Sequence, residues 1–127
     1  MARILIAEDE RDIRELITFT LEFGGFQVIA ATNGQEAVEL ARQHRPDLII
    51  LDVRMPRMTG YEACRILKSQ EETRTIPVIF LSAKGQEAEI RQGMEAGADA
   101  YILKPFAPDE LIQQVQAFLN RHNPKSG

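Results

Sequence analysis

The chain has 127 residues, 44% of them hydrophobic, which is enough for one domain with a substantial core and too little for two. Its formal net charge of −4 provides no basic surface, so we expect no direct nucleic-acid binding by this chain. The N-terminal segment is too short and acidic for a secretion signal, and no apolar run reaches membrane length, so we expect a cytoplasmic protein that does not enter a membrane.

Strand-like and helix-like segments alternate along the chain. Apolar runs predict strands over residues 3–7, 26–30, 47–52, 76–82 and 100–103. After each of them, apolar residues recur at helical spacing: Ile13, Leu16, Ile17 and Leu21; Ala37, Leu40 and Ala41; Ala63, Cys64 and Leu67; Ile90 and Met94; Leu111, Val115, Phe118 and Leu119. This (βα)5 alternation predicts an α/β fold of three layers, a flavodoxin-like doubly wound parallel sheet with strand order 2-1-3-4-5.

Glycine, asparagine and proline mark the ends of these elements. Gly24, Gly25 and Gly97 occupy positions where helix ends need left-handed residues. Asn33 marks the entry to the second helix, and Pro108 suits the first turn of the last one. We expect the domain to cover residues 1–121, followed over 122–127 by a flexible tail or the start of a linker.

Polar residues follow four of the five predicted strands. Glu8 and Asp9 follow the first strand, Asp52 ends the third, Ser82 ends the fourth and Lys104 follows the fifth. The ends of parallel strands gather at one edge of the sheet. Ligands bind at that edge where the winding direction reverses, here between the first and third strands. The sequence therefore predicts one site that contains all five residues.

The chemistry of these side chains indicates a metal ion and a phosphoryl group. Three converging carboxylates repel one another unless a cation is bound, and an all-oxygen ligand set suits Mg²⁺. A carboxylate beside Mg²⁺ can accept a phosphoryl group, with Lys104 and the Ser82 hydroxyl binding its oxygens. Each residue alone also has an ordinary explanation as a helix-dipole group, turn residue, cap or solvated charge, and only their conjunction favours a site.

Four motifs of the chain resemble those of the receiver domain of bacterial two-component response regulators, in particular the chemotaxis-regulator-like single domain. These motifs cover residues 4–10, 46–60, 76–83 and 97–106, in the family's order and over nearly the whole chain. The resemblance implies a phosphoacceptor signalling domain, not an enzyme, although it takes part in its own phosphorylation and slow autodephosphorylation.

The resemblance also assigns roles to the predicted site. Asp52 accepts a phosphoryl group, with Mg²⁺, from the phosphohistidine of a sensor histidine kinase or a histidine phosphotransfer protein. It assigns Mg²⁺ to Asp9, Asp52 and the backbone carbonyl of Arg54, with Glu8 acting largely through water. Lys104 pairs with Asp52 and then with the phosphoryl group.

A conformational switch is a further implication of the resemblance. The phosphoryl group draws Ser82 inward, and the ring of Tyr101 moves into the vacated space. The face built by the fourth helix, fifth strand and fifth helix then changes what it binds: a downstream partner protein, an output domain missing from this chain, or a second phosphorylated copy in a homodimer. The Lys104–Pro105 bond is expected to be cis, and an ordinary half-buried strand aromatic is the alternative for Tyr101.

Two cations lie where the family tunes the lifetime of its phosphoaspartate. Arg54 and Lys84 stand two residues beyond Asp52 and Ser82. We expect both to hold the phosphoryl oxygens and obstruct the attacking water, and solvated surface charges are the alternative.

Three residues differ from common family choices. Glu8 stands where aspartate is frequent, Ser82 where threonine is also common, and Ala107 where a helix-capping side chain is frequent. We expect metal binding to survive the first change and the last helix to begin about 1 kcal/mol less well capped because of the third.

Two other protein classes share parts of this pattern. A haloacid-dehalogenase-like phosphatase also uses an aspartate after a strand, but it usually has a second acid two residues later, where this chain has Arg54. A flavodoxin-like flavin carrier binds phosphate after the first strand, where residues 8–12 form an anionic segment that repels phosphate.

Overall fold

The computed structural model describes residues 2–83, 86–104 and 106–122, except the side chains of Ala83 and His122. Two sequence-based expectations, tuning by Lys84 and the cis bond before Pro105, lie outside the described residues. Of the tail predicted over 122–127, the backbone of His122 is described, as the end of a helix, and residues 123–127 lie outside the described residues.

Within the described residues, five strands alternate with five helices in the predicted order. The strands are β1 (Arg3–Ala7), β2 (Gln27–Ala31), β3 (Leu48–Asp52), β4 (Val78–Ala83) and β5 (Ala100–Lys104). The helices are α1 (Arg11–Phe23), α2 (Gly34–His44), α3 (Gly60–Ser69), α4 (Glu87–Glu95) and α5 (Pro108–His122). All paired strands are parallel, in the order β2-β1-β3-β4-β5, which confirms the predicted fold class. None of the helices in this part of the chain has the length and apolar character needed to cross a bilayer.

The sheet separates two apolar layers. Leu5, Ile49 and Leu51 belong to the layer that contains buried residues of α2 and α3, whereas Ile4 and Ile50 belong to the layer that contains those of α1 and α5. Neighbouring residues of β3 thus enter opposite layers, as the two-residue period of a strand requires. Every residue of β3 is buried, which explains why its sequence is a continuous apolar run up to its last residue.

The strand register determines which residues meet at the carboxyl edge of the sheet. Ala7 pairs with Leu51, so Glu8, the next residue, lies at the level of Asp52. Asp52 itself pairs with Leu81, and Ser82 is one residue further along β4. A shift of one residue in either pairing would turn Asp52 to the opposite face of the sheet.

Polar side chains contact the backbone at the starts of α2 and α5. Asn33 accepts a hydrogen bond from the backbone N–H of Glu36 at 2.9 Å and so caps α2, as predicted. Pro108 begins α5, also as predicted. The carboxylate of Glu110 accepts a hydrogen bond from the backbone N–H of Ala107 at 3.3 Å, so this start has a polar contact although Ala107 cannot cap.

Of the three glycines expected to be left-handed, only two are. Gly25 has φ +95° and Gly97 has φ +108°. Gly24 has φ −77°, so that expectation was wrong. Its lack of a side chain serves packing instead, because a Cβ there would lie 3.1 Å from Ile112 of α5.

Helix α4 packs through its backbone more than through large apolar side chains. Among its described residues Gly93 is the buried one, whereas Met94 is 44% exposed despite its helical spacing from Ile90. A Cβ on Gly93 would lie 2.8 Å from the Phe80 ring, so the absence of a side chain allows α4 to lie directly on β4.

Candidate functional site

Three carboxylates converge at the carboxyl edge between β1 and β3. Glu8, Asp9 and Asp52 each provide an oxygen, and these oxygens lie within 4.8 Å of one another. Glu8 is 1% exposed and Asp52 is 8% exposed, whereas Asp9 is exposed to solvent. The structure therefore brings together the three acids that the sequence placed at this edge.

Lys104 provides the positive charge of this cluster. Its Nζ donates a hydrogen bond to Asp52 Oδ1 at 2.9 Å and lies 3.9 Å from Glu8 Oε1. The second distance is that of an ion pair, too long for a hydrogen bond. One ammonium group faces three carboxylates, so the ionised cluster has an excess of negative charge.

Glu8 shows how that excess affects a single group. Its Oε2 accepts a hydrogen bond from the backbone N–H of Glu10 at 3.1 Å, whereas Oε1 is buried without a hydrogen-bond partner among the described residues. Burial, reinforced by the charge of Asp52, raises the pKa of Glu8 to about 7. A buried oxygen without a hydrogen-bond partner, in an all-oxygen cluster of excess negative charge, fits a hard divalent cation.

An open cavity lies over the cluster. It has a volume of about 310 Å³ and is lined by Asp9, Glu10, Asp52, Val53, Arg54, Leu81, Glu89 and Lys104. Acidic and basic side chains contribute most of this lining, which suits a small charged group more than an apolar ligand. The cavity can admit a metal ion together with a phosphoryl group.

The loop that follows β3 holds the backbone of Asp52. Arg57 has φ +69°, and the N–H of Met58 donates to the carbonyl of Pro56 at 2.7 Å, which makes a tight turn centred on Arg57. A Cβ on Gly60 would collide with the carbonyl oxygen of Asp52, so this position requires glycine. The start of α3 is thereby packed directly against the acidic strand end.

Ser82 and Tyr101 lie at different depths. Ser82 is 1% exposed, and its hydroxyl donates to Glu89 Oε1 at 3.2 Å. Tyr101 is 43% exposed on β5, where it pairs in register with Phe80. The buried hydroxyl thus contacts α4, and the tyrosine ring is on the surface.

Arg54 lines the cavity, but its guanidinium group contacts another residue. Nε and Nη2 donate to Glu89 Oε2 at 3.2 and 3.0 Å, and the side chain is 81% exposed. The charge that was expected to contact a phosphoryl group is therefore paired with Glu89 of α4 in this structure.

Glu89 is the residue of this site that sequence reasoning missed. It contacts both Ser82 and Arg54 and lines the same cavity as Asp52. Its only sequence signal is an acidic residue in the first turn of α4, a pattern that the helix dipole explains equally well.

Comparisons with known proteins agree with this geometry. The family model of the response regulator receiver domain matches residues 4–116. The phosphate regulon transcriptional regulatory protein PhoB of Pseudomonas aeruginosa is 46% identical over 121 residues, which are 95% of this chain and 53% of PhoB. The chain thus spans about half the length of the curated relatives it matches.

Solved structures show the same fold. The chemotaxis response regulator CheY4 of Vibrio cholerae has a TM-score of 0.86 at 33% identity, over 92% of this chain and 98% of that one. The receiver domain of the sensor histidine kinase PA1611 of Pseudomonas aeruginosa has a TM-score of 0.84 at 33% identity, over 94% and 95% of the two chains, with a magnesium ion coordinated in its active site cleft. The family match, these likenesses and the acidic cluster lead to one conclusion: the chain belongs to the receiver domain family of the two-component response regulators.

Proposed function

We propose that Asp52 is the phosphoacceptor of this receiver domain and that it takes a phosphoryl group from a phosphohistidine. The donor is a sensor histidine kinase or a histidine phosphotransfer protein, which acts on it in the cytoplasm. The observation that carries the proposal is the 2.9 Å contact of Lys104 Nζ with Asp52 Oδ1, beside the buried Oε1 of Glu8, which has no hydrogen-bond partner among the described residues. This arrangement leaves one carboxylate charge-paired and accessible through the cavity.

The acidic cluster would bind Mg²⁺. Asp9, Asp52 and the backbone carbonyl of Arg54 would be its ligands, with Glu8 acting largely through water. When bound, Mg²⁺ supplies positive charge to the phosphoryl oxygens. The magnesium ion in the receiver domain of PA1611 supports this choice of metal.

The transfer is a displacement at phosphorus. A carboxylate oxygen of Asp52 forms a bond to phosphorus as the bond between phosphorus and the donor imidazole nitrogen breaks, and the imidazole leaves with the electron pair. Lys104 remains within reach of the phosphoryl oxygens and stabilises their charge. Slow attack of water on the phosphorus later breaks its bond to the Asp52 oxygen, which releases inorganic phosphate and restores the carboxylate.

The signal would leave the site through Ser82 and Tyr101. The Ser82 hydroxyl would donate to a phosphoryl oxygen, and Tyr101 would move from the surface into the space that this opens. The face formed by α4, β5 and α5 would then bind a partner protein, an output domain or a second copy of the chain. The name of the relative PhoB, a transcriptional regulatory protein, supports an output that controls transcription.

The two alternative functions gain no support from the described residues. Arg54, where a haloacid-dehalogenase-like phosphatase would usually have its second acid, is paired with Glu89. The segment after β1 contributes Glu8 and Asp9 to an acidic cluster, which would repel the phosphate of a flavin.

Incubation with Mg²⁺ and acetyl phosphate tests the proposal. The wild-type protein should gain the mass of one phosphoryl group, and Asp52→Asn should gain none. Asp109→Asn removes an exposed carboxylate from the first turn of α5 and should be phosphorylated like the wild type. Full modification of Asp52→Asn would show that the acceptor is another residue.

A further inference from the structure

A second polar network connects the cavity to α4. Glu89 is the third residue of that helix, and its side chain is 15% exposed. One carboxylate oxygen accepts from the Ser82 hydroxyl, and the other accepts two hydrogen bonds from Arg54. Glu89 is thus the common acceptor of the two groups that flank the phosphoryl position.

The backbone of Glu89 also contacts the core. The Tyr61 hydroxyl donates to the carbonyl oxygen of Glu89 at 3.1 Å. The Tyr61 ring contacts the Phe80 ring at a centroid distance of 5.5 Å, and Phe80 lies against Gly93. A change at the Glu89 side chain therefore acts on a helix turn whose position is set by these contacts.

Phosphorylation would place a second acceptor next to the first. The Ser82 hydroxyl has one proton, so it can donate to Glu89 or to a phosphoryl oxygen but not fully to both. Glu89 lines the cavity that contains Asp52, so the added phosphoryl charge would also repel its carboxylate. Both effects favour release of Glu89.

We propose that Glu89 is a competing acceptor that holds the Ser82 hydroxyl and the Arg54 guanidinium away from the phosphoryl position until Asp52 is phosphorylated. Release of Glu89 then frees the first turn of α4, and the signal reaches α4 directly as well as through Tyr101. The inference rests on the proposed role of Asp52. It makes Glu89 a positioning residue that opposes switching.

Beryllofluoride, a mimic of the phosphoryl group, provides the test. In the presence of Mg²⁺, Glu89→Ala should bind it about fivefold more tightly than the wild type, because no hydrogen bond to Glu89 must be broken first. Glu89→Gln keeps an acceptor for Ser82 but loses the charge that pairs with Arg54, so its gain should be smaller. Glu87→Gln removes the same charge from an exposed position of the same turn and should stay within about twofold of the wild type.

A double-mutant cycle separates competition from simple charge repulsion. In a Ser82→Ala background there is no hydroxyl to release, so the gain from Glu89→Ala should shrink by at least about twofold. Competition is refuted if the gain is unchanged in that background, or if Glu89→Ala binds beryllofluoride no more tightly than the wild type. A gain of the same size from Glu87→Gln would also refute it, because charge alone would then explain the effect.

Two controls keep the result interpretable. If Glu89→Ala does not fold, as judged by thermal melting, Glu89→Met replaces it in the same cycle, because methionine has a similar length but no oxygen to accept from Ser82. Failure of the wild-type protein to bind beryllofluoride would count against the role of Asp52. Normal binding by the wild type with no gain in the variants would count against Glu89 alone.

Discussion

Two lysine–aspartate pairs lie at opposite ends of the sheet. Lys104 and Asp52 are 2.9 Å apart at the carboxyl ends of the strands, and Lys68 and Asp99 are 3.0 Å apart near the amino ends of β4 and β5. The two lysine side chains are similarly accessible, 29% and 20% exposed. The distance between the charged groups and the exposure of the lysines therefore do not distinguish the pairs, although Asp52 is more buried than Asp99, with side chains 11% and 31% exposed.

The surroundings of the pairs do distinguish them. Lys68 Nζ donates to Asp99 and to the carbonyl oxygens of Ile76 and Arg74, at 3.0, 2.8 and 3.3 Å. The same oxygen of Asp99 also accepts from the N–H of Val78 at 2.9 Å. All three donors of Lys68 are in use, so this pair ties α3 to the starts of β4 and β5.

The Lys104 pair is incomplete by the same measure. Among the described residues, Lys104 makes one hydrogen bond, to Asp52, and the nearby Oε1 of Glu8 has no hydrogen-bond partner. The Lys104 pair has hydrogen-bonding groups without partners among the described residues, which is typical of a binding site. The donors of Lys68 are all used, which is typical of a structural contact. The comparison predicts that substitution of Lys104 mainly lowers the rate of phosphorylation, whereas substitution of Lys68 mainly lowers the free energy of unfolding.

Lys104→Met should have the largest effect on activity. Loss of the cation that faces the phosphoryl oxygens should lower the rate of phosphorylation by acetyl phosphate on the order of 100-fold. The free energy of unfolding should fall by about 1 kcal/mol, less than for Lys68→Met, because Lys104 makes one hydrogen bond among the described residues whereas Lys68 makes three. Mass spectrometry over time measures the rate, and a rate within twofold of wild type would remove the distinction between the pairs.

Lys68→Met should show the reverse pattern. It leaves Asp99 and two carbonyl oxygens without their donor, so unfolding should become easier by about 2 kcal/mol in urea denaturation. The folded fraction should still accept phosphoryl groups at a rate within about twofold of wild type. A lower phosphorylation rate without a lower free energy of unfolding would contradict the structural role of the Lys68–Asp99 pair.

The stability of the protein and its affinity for Mg²⁺ should both depend on pH through Glu8. The pKa of Glu8 is raised from 4.5 to about 7. Between these pH values the carboxyl group of Glu8 is therefore mostly protonated in the native protein and mostly ionised in the unfolded chain. The metal-free protein should therefore lose stability as the pH rises from about 4.5 to 7, whereas Mg²⁺ binding should tighten over the upper part of this range. Glu8→Gln should flatten both profiles, and an unchanged slope in the variant would assign the titration to another group.

The smallest effect is expected in the loop after β3. Arg57→Gly should relieve the cost of a positive φ and stabilise the protein by about 0.5–1 kcal/mol, less than the full strain because glycine also gains freedom in the unfolded chain. Phosphorylation should remain within about twofold of wild type, since Arg57 does not line the cavity above Asp52. Destabilisation in urea would show that the Arg57 side chain contributes contacts that outweigh the strain.

Local pattern was sufficient for the fold and for the acidic edge. Strands buried on both faces must be apolar along their length, so β3 and its terminal Asp52 are evident in the sequence. Parallel pairing then brings Glu8 and Lys104 to the same edge without knowledge of any tertiary contact.

What sequence could not predict depends on how helices dock. Glu89 reaches Ser82 because Gly93 lets α4 lie on Phe80, and a missing side chain leaves no periodic signal. The packing role of Gly24 was missed for a similar reason, since its partner Ile112 lies on the distant helix α5.

The aromatic residues make this molecule convenient to observe. The chain has two tyrosines and no tryptophan. Tyr61 bonds to the backbone of α4, and Tyr101 lies exposed on β5. Incorporation of fluorotyrosine would therefore place one ¹⁹F nucleus under α4 and one on the surface of β5, so two resonances from a single sample could follow the helix and the strand separately during phosphorylation.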